Sequence, residues 1–244
     1  MTSVGGPAAV GTDHRHEPHE RGFHGRLNWL RAGVLGANDG IVSTAGLVVG
    51  VAGATTNRTP ILIAGVAGLV AGAMSMAVGE YVSVSTQRDS EEALLALERH
   101  ELRTMPEEEL EELTQLYVAK GLSRGLAERV AHELTEHDAL AAHAETELGI
   151  DPDELTNPWH AALASFVAFT VGALLPLFAI VLPPALWRVP ITFVAVLLAL
   201  VVTGVVSARL GGSGPHRAVW RNVLGGAIAM AVTYGIGSAI GVTV

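Results

Sequence analysis

Apolar residues fall along this chain in five long runs, interrupted by short polar turns and by one long polar block. The runs cover Gly33–Ala54, Pro60–Val84, Trp159–Leu182, Leu186–Ala208 and Trp220–Val242. Each reaches the roughly 20 residues that a helix needs to cross the hydrocarbon of a bilayer. The pieces joining the first to the second ("TTNRT") and the third to the fourth ("PPA") have room only for turns. "RLGGSGPHRAV", rich in glycine, joins the fourth to the fifth.

The polar block lies between the second and third runs, and its pattern predicts three helices. No Gly or Pro occurs from Glu80 to Met105. The second span is therefore expected to continue as one helix beyond the membrane, by about 30 Å for twenty residues. "MPEEELEELTQLYVAKG" opens on a proline and acids that complement a helix dipole, and it ends at Gly121. "SRGLAERVAHELTEHDALAAHAETELG" follows, with Ser123 as expected N-cap and Gly149 as expected C-cap. The fold class expected is all-α: a polytopic membrane protein with five transmembrane helices and a three-helix cytoplasmic insert. Residues 26–86 would hold spans one and two, 87–157 the insert and 158–244 spans three to five. A His-rich tail at 1–25 is expected to be disordered.

Charge separates the block from the rest. Residues 87–157 hold 19 of the 24 acids and 6 of the 15 basic residues, a net of −13, against +4 for the remainder. Basic residues near span ends set orientation. Arg15, Arg21, Arg26 and Arg31 precede the first span, and Arg209, Arg217 and Arg221 flank the last turn, against Arg58 and Arg188 on the other side. This places the N-terminus and the acidic block in the cytoplasm and the C-terminus outside a cell membrane. The absence of cysteine excludes disulfides, thiolate zinc sites and iron–sulfur clusters. No phosphate loop, zinc-protease His pair or nucleophile context is present, so neither enzyme nor nucleic-acid binder is expected.

Asp39 stands about six residues inside the first apolar run, where a carboxylate costs about 2.5–3.5 kcal/mol on insertion scales. In the second run Gly68, Gly72, Met76 and Glu80 recur every four residues and share a helix face. Met76 and Glu80 lie at a depth similar to that of Asp39, so the three are expected to converge on one ion path. Packing for Met76 and snorkelling for Glu80 are the simpler alternatives. Asn222, Gly226, Met230 and Tyr234 form a fainter stripe in the fifth run, with Gly237 and Gly241 free to pack on a neighbour.

In the acidic block Glu98 with Glu101, and Glu109 with Glu112, form i,i+3 pairs, and His143 with Glu147 an i,i+4 pair. Carboxylates with an imidazole at helical spacing suit divalent Fe or Mn. A solvated acidic face is the alternative. The His14, His16, His19 and His24 cluster is a weaker metal candidate.

"GANDGIVSTAGLVVGVAGA" and "AGAMSMAVGEYVSVSTQRD" resemble the vacuolar iron transporter (VIT) family of Fe/Mn carriers, a likeness extending from about residue 26 to the C-terminus. The resemblance implies proton-coupled export of Fe(II), and often Mn(II), from the cytosol by a homodimer whose pore lies at the subunit interface. It implies path-lining roles for Asp39 and Met76, and metal ligands at Glu98, Glu101, Glu109, Glu112 and Glu147. Two departures stand out. Plant-type members carry an acid where this chain has Gly68, a loss that Glu80 would make good, and methionine near His143 and Ala144. The expectation is a homodimeric transporter exchanging Fe(II) or Mn(II), its cargo rather than a resident cofactor, for protons. The alternative is a membrane-anchored metal sensor or buffer.

Overall fold

The computed structural model describes residues 23–153, 155–212 and 214–241, with side chains from Ala32 onward. The expected tail at 1–25 lies outside the described residues up to 22, and residues 23–25 begin the first helix. Among the described residues the protein is all-helical, without a strand. The helices are α1 (Phe23–Ala54), α2 (Arg58–Thr104), α3 (Pro106–Ala119), α4 (Arg124–His143), α5 (Pro158–Val181), α6 (Ala185–Leu210) and α7 (Pro215–Gly241), and a π-helical turn, Ala144–Leu148, closes α4.

Five helices, α1, α2, α5, α6 and α7, are long and apolar enough to cross a membrane. Helix α7 begins five residues before the expected Trp220, because Pro215 serves as a helix-starting residue and shortens the preceding turn. Large apolar side chains such as Val70, Val171, Leu198 and Ile228 face outward, and Trp159, Trp187 and Trp220 are exposed near the starts of α5, α6 and α7. An apolar belt with tryptophans near helix ends matches a lipid-facing surface.

Helix α1 is the hub, touching α2, α5, α6 and α7. Its Ile41, Ala45, Val48 and Val49 meet Ile61 of α2, Leu177 and Ile180 of α5, Val196 and Leu200 of α6 and Met230 of α7. Small residues bring the backbones together, as is usual where lipid supplies no hydrophobic drive. A Cβ added to Gly40 would fall on the Phe169 carbonyl of α5, and one added to Gly172 on the Ala37 carbonyl. At the other end of α1, Gly237 and Gly241 seat α7 against Gly50 and Ala54, the neighbour contact expected of them. Gly40→Val is therefore expected to lower stability by about 1–3 kcal/mol or more, read as an earlier thermal unfolding in detergent; an unchanged melting curve would refute the close approach.

Arg188 departs from its reading as a charge flanking a span. It is 5% exposed, and its guanidinium donates to the Thr56 carbonyl at 3.0 Å, just past the C-terminal end of α1. Arg58 donates to the Pro183 carbonyl at 3.4 Å. Both arginines tie the α1–α2 turn to the α5–α6 turn. A cation near the negative end of α1 also complements its dipole.

Helix α2 runs 47 residues without a break, as its lack of Gly and Pro from Glu80 onward predicts. It ends at Met105, whose N–H donates to the Glu101 carbonyl at 2.7 Å, and Pro106 opens α3. Helices α3 and α4 pack through Leu113, Ala131 and Ala142, with Leu110, Tyr117 and Leu134 around them. The third helix is not the single rod the pattern predicts. Asp138 leaves helical geometry (φ −158°, ψ 97°), and its carboxylate accepts from the Ala141 N–H at 3.0 Å, so an N-cap restarts the helix inside α4. Gly149 (φ +66°) ends the π turn in the left-handed region expected of a C-cap. Ser123 has extended backbone but makes no capping hydrogen bond through its side chain.

Candidate metal cluster and membrane cleft

Restarting the chain at Asp138 turns His143 inward. It is fully buried, beside Glu98 of α2 (3% exposed) and Glu109 of α3 (5% exposed). One ligand atom from each of these three lies within 4.8 Å of the others, a spacing that fits a single cation. The His143 Nδ1 is 3.0 Å from Glu98 Oε1, 3.6 Å from Glu109 Oε2 and 3.8 Å from Glu147 Oε2. Close as they are, neither His143 nitrogen nor Glu98 Oε1 has a hydrogen-bond partner. Buried polar atoms are normally paired. Donor atoms that converge without bonding one another are arranged for a third body that accepts their lone pairs.

The electrostatics agree. Burial pushes the Glu98 carboxyl up to about 7, and the charges of Glu147, Glu109, Glu101 and Glu112 add to the effect. Glu109 is raised by burial and then by Glu112, Glu101, Glu147 and Glu108. Glu147 is raised by burial and by Glu112 and Glu101. Burial lowers the His143 imidazole, against the opposing pull of Glu112, and a neutral ring keeps a lone pair for a metal. Of the six expected residues the structure brings Glu98, Glu109 and His143 into one group, with Glu147 beside His143, while Glu101 and Glu112 act on the group through their charges.

Without metal such a cluster costs stability, with a definite sign. Between about 4.5 and about 7 the folded protein holds the Glu98 proton that the unfolded chain releases. Metal-free stability is therefore expected to fall as pH rises through that window and then to level off above it. In Glu98→Gln that fall should shrink; a wild-type pH profile of melting temperature in the variant would contradict the assignment.

The membrane helices hold a second convergence. Asp39 and Met76 line two neighbouring clefts. One, of about 200 Å3, is bordered by Ser43, Thr44 and Leu47 of α1, Gly68, Gly72 and Ser75 of α2, and Phe169 of α5. The other, of about 370 Å3, adds Asn38 and Val42 of α1 and Arg221, Asn222 and Gly226 of α7. The glycines of "GANDG" explain the placement. Gly36 and Gly40 face the α5 backbone, where a Cβ would meet Ser165 and Phe169, leaving Asp39 on the side of α1 that borders both clefts. Asn38 accepts a long hydrogen bond from Thr203 of α6 at 3.5 Å.

Glu80, expected beside Asp39 and Met76, lines neither cleft and is half-buried further along α2. The face it shares with Gly68 and Gly72 is covered near those glycines by Leu47 and Phe169. Ser43, Thr44, Ser75 and Arg221 border the clefts although the sequence reading did not place them there. Helical spacing from Asp39 would have found Ser43; the others depend on how α1, α2 and α7 cross.

Comparison with known proteins points one way. The sequence model of the VIT family matches residues 30–238. The chain is 45% identical over 215 residues to a vacuolar iron transporter of Acanthamoeba castellanii, an alignment covering 87% of this chain and 79% of that protein. It is 36% identical to vacuolar iron transporter homolog 2.1 of Arabidopsis thaliana over 242 residues, covering 99% and 94%. It is 40% identical to vacuolar iron transporter homolog 1 of Oryza sativa subsp. japonica over 213 residues, covering 86% and 73%.

Proposed function

Because the chain belongs to the VIT family and is a multi-pass membrane metal transporter, we propose that it exports Fe(II), and with it Mn(II), from the cytosol in exchange for protons. One observation carries the reading: a single uninterrupted helix, α2, supplies both Met76 of the membrane cleft and Glu98 of the acidic cluster. The two positions are about 33 Å apart along it at 1.5 Å per residue. Two sites suited to a cation thus stand in series, one within a span and one beyond it.

In this reading the end of α2, α3 and α4 form a cytoplasmic metal-binding domain. Glu98, Glu109 and His143 bind the ion, and Glu101, Glu112 and Glu147 complete the ligand set and raise the local concentration of cations. Oxygen donors with one imidazole suit Fe(II) and Mn(II) better than softer ions. The ion then moves to Asp39 and Met76. Protonation of Asp39 from the far side releases it, since proton and metal compete for the same carboxylate lone pairs. A homodimer, with the clefts between subunits, completes the proposal. The sensor or buffer alternative gives Asp39 no task.

Uptake of Fe(II) into inside-out membrane vesicles tests the exchange. An interior-acid gradient should accelerate uptake, and a protonophore should abolish the acceleration. Uptake indifferent to the gradient would remove the proton from the mechanism.

A further inference from the structure

Thr44 follows Asp39 on α1, little more than one turn on, and borders the same cleft. It is 2% exposed, and its hydroxyl oxygen is buried without a hydrogen-bond partner. An unmade hydrogen bond in such a place is costly. It is also avoidable, because a helical Ser or Thr can donate to the carbonyl one turn back. Other hydroxyls of the spans do so: Ser43 to Asp39 at 2.6 Å, Thr170 to Phe166 at 2.8 Å, Thr192 to Arg188 at 2.7 Å and Thr233 to Ala229 at 2.9 Å. Ser165 shares the unpartnered state of Thr44 but borders neither cleft.

The order of residues gives the orphaned hydroxyl a place. At one end of the cleft stand Asp39 and Met76. At the other, Leu47 occupies the space in which a Cβ on Gly68 would stand, so an apolar side chain closes that end. Thr44 of α1 and Ser75 of α2 lie between. A cation leaving Asp39 toward Leu47 meets Thr44 before it meets a purely apolar wall.

We propose that the Thr44 hydroxyl is the next station of the transport path after Asp39, taking the divalent cation, or a water that the cation carries, through its oxygen. The proposal rests on the reading of the Asp39 cleft as the path. A neutral oxygen holds a cation less tightly than a carboxylate does, and a path must let its ion go as well as bind it. Thr44 thus lowers the step between a strong site and the closure at Leu47.

Fe(II) flux through purified protein in liposomes is the test. Thr44→Val keeps the shape and removes the hydroxyl. It should reduce the maximal rate about tenfold, the scale of one lost polar contact. The half-saturating Fe(II) concentration should stay near the wild-type value, because capture occurs elsewhere. Thr44→Ser should restore the rate, and Ser165→Ala, which removes another buried, unpartnered hydroxyl of the spans, should transport as wild type does. A wild-type maximal rate in Thr44→Val would overturn the proposal. If that variant misfolds, equal rates for Thr44→Ser and Thr44→Ala would overturn it instead. Failure of the underlying reading looks different: Asp39→Asn would then transport normally.

Discussion

Asp39→Asn protein in liposomes is expected to carry Fe(II) no faster than protein-free vesicles, while binding Fe(II) as tightly as wild type does. A carboxylate in a membrane span costs about 2.5–3.5 kcal/mol to insert, and asparagine removes the part of that cost due to charge. The variant should therefore fold at least as well as the parent, which separates loss of function from loss of structure. Under the proposed mechanism, asparagine lacks the negative charge that would meet the cation between α1 and α2, together with the site where a proton would replace it. Asp39 lines both clefts with Met76. A charge interaction worth about 3 kcal/mol corresponds to roughly a hundredfold change in rate or affinity. Binding measured in the same preparation should be unaltered, because Glu98, Glu109 and His143 lie on the far part of α2, on α3 and on α4. If flux and binding fell together, the two sites would be one cooperative unit rather than two stations.

The second large effect concerns His143. His143→Ala is expected to weaken Fe(II) binding by at least about 10–100-fold, the range reached when even an outer partner of a metal ligand is removed. The imidazole is fully buried, with neither nitrogen hydrogen-bonded among the described residues, so its lone pair is open to a metal. Its removal also leaves Glu98 and Glu109 facing each other across a cavity without the one uncharged donor between them. His143→Met, which offers a thioether instead, should keep part of the affinity and shift preference away from Mn(II) toward softer ions. Calorimetric titration of each variant with Mn(II) and Fe(II) reads both effects. An unchanged affinity in His143→Ala would remove the histidine from the ligand set.

Much of this was legible in the sequence, for identifiable reasons. Five apolar runs give five long helices because length and hydropathy are local properties. The continuation of α2 beyond its apolar run follows from the absence of Gly and Pro between Glu80 and Met105. The residues of the acidic cluster were readable because i,i+3 and i,i+4 spacing fixes which side chains share a face. The tight α2–α3 connection at Met105 and Pro106 then brings Glu98 to Glu109.

Other features depend on packing between helices and leave no local trace. Glu80 shares a face with Met76 by periodicity, yet the crossing of α1 and α2 gives the cleft to Gly68, Gly72 and Ser75 instead. The break at Asp138 passes for ordinary helix until its carboxylate is seen capping Ala141. Arg188 counted as a flanking charge until the fold buried it against Thr56. The glycines around Asp39 let α5 approach, a task that their spacing alone does not reveal.

The most direct measurement is Fe(II) flux by the purified wild-type protein in liposomes that contain no other protein, with a pH gradient imposed across the bilayer. The account predicts saturable entry of Fe(II) into the lumen that accelerates when the lumen is acid. Stoichiometric binding of Fe(II) at the acidic cluster with no entry into the lumen, under either gradient, would contradict it.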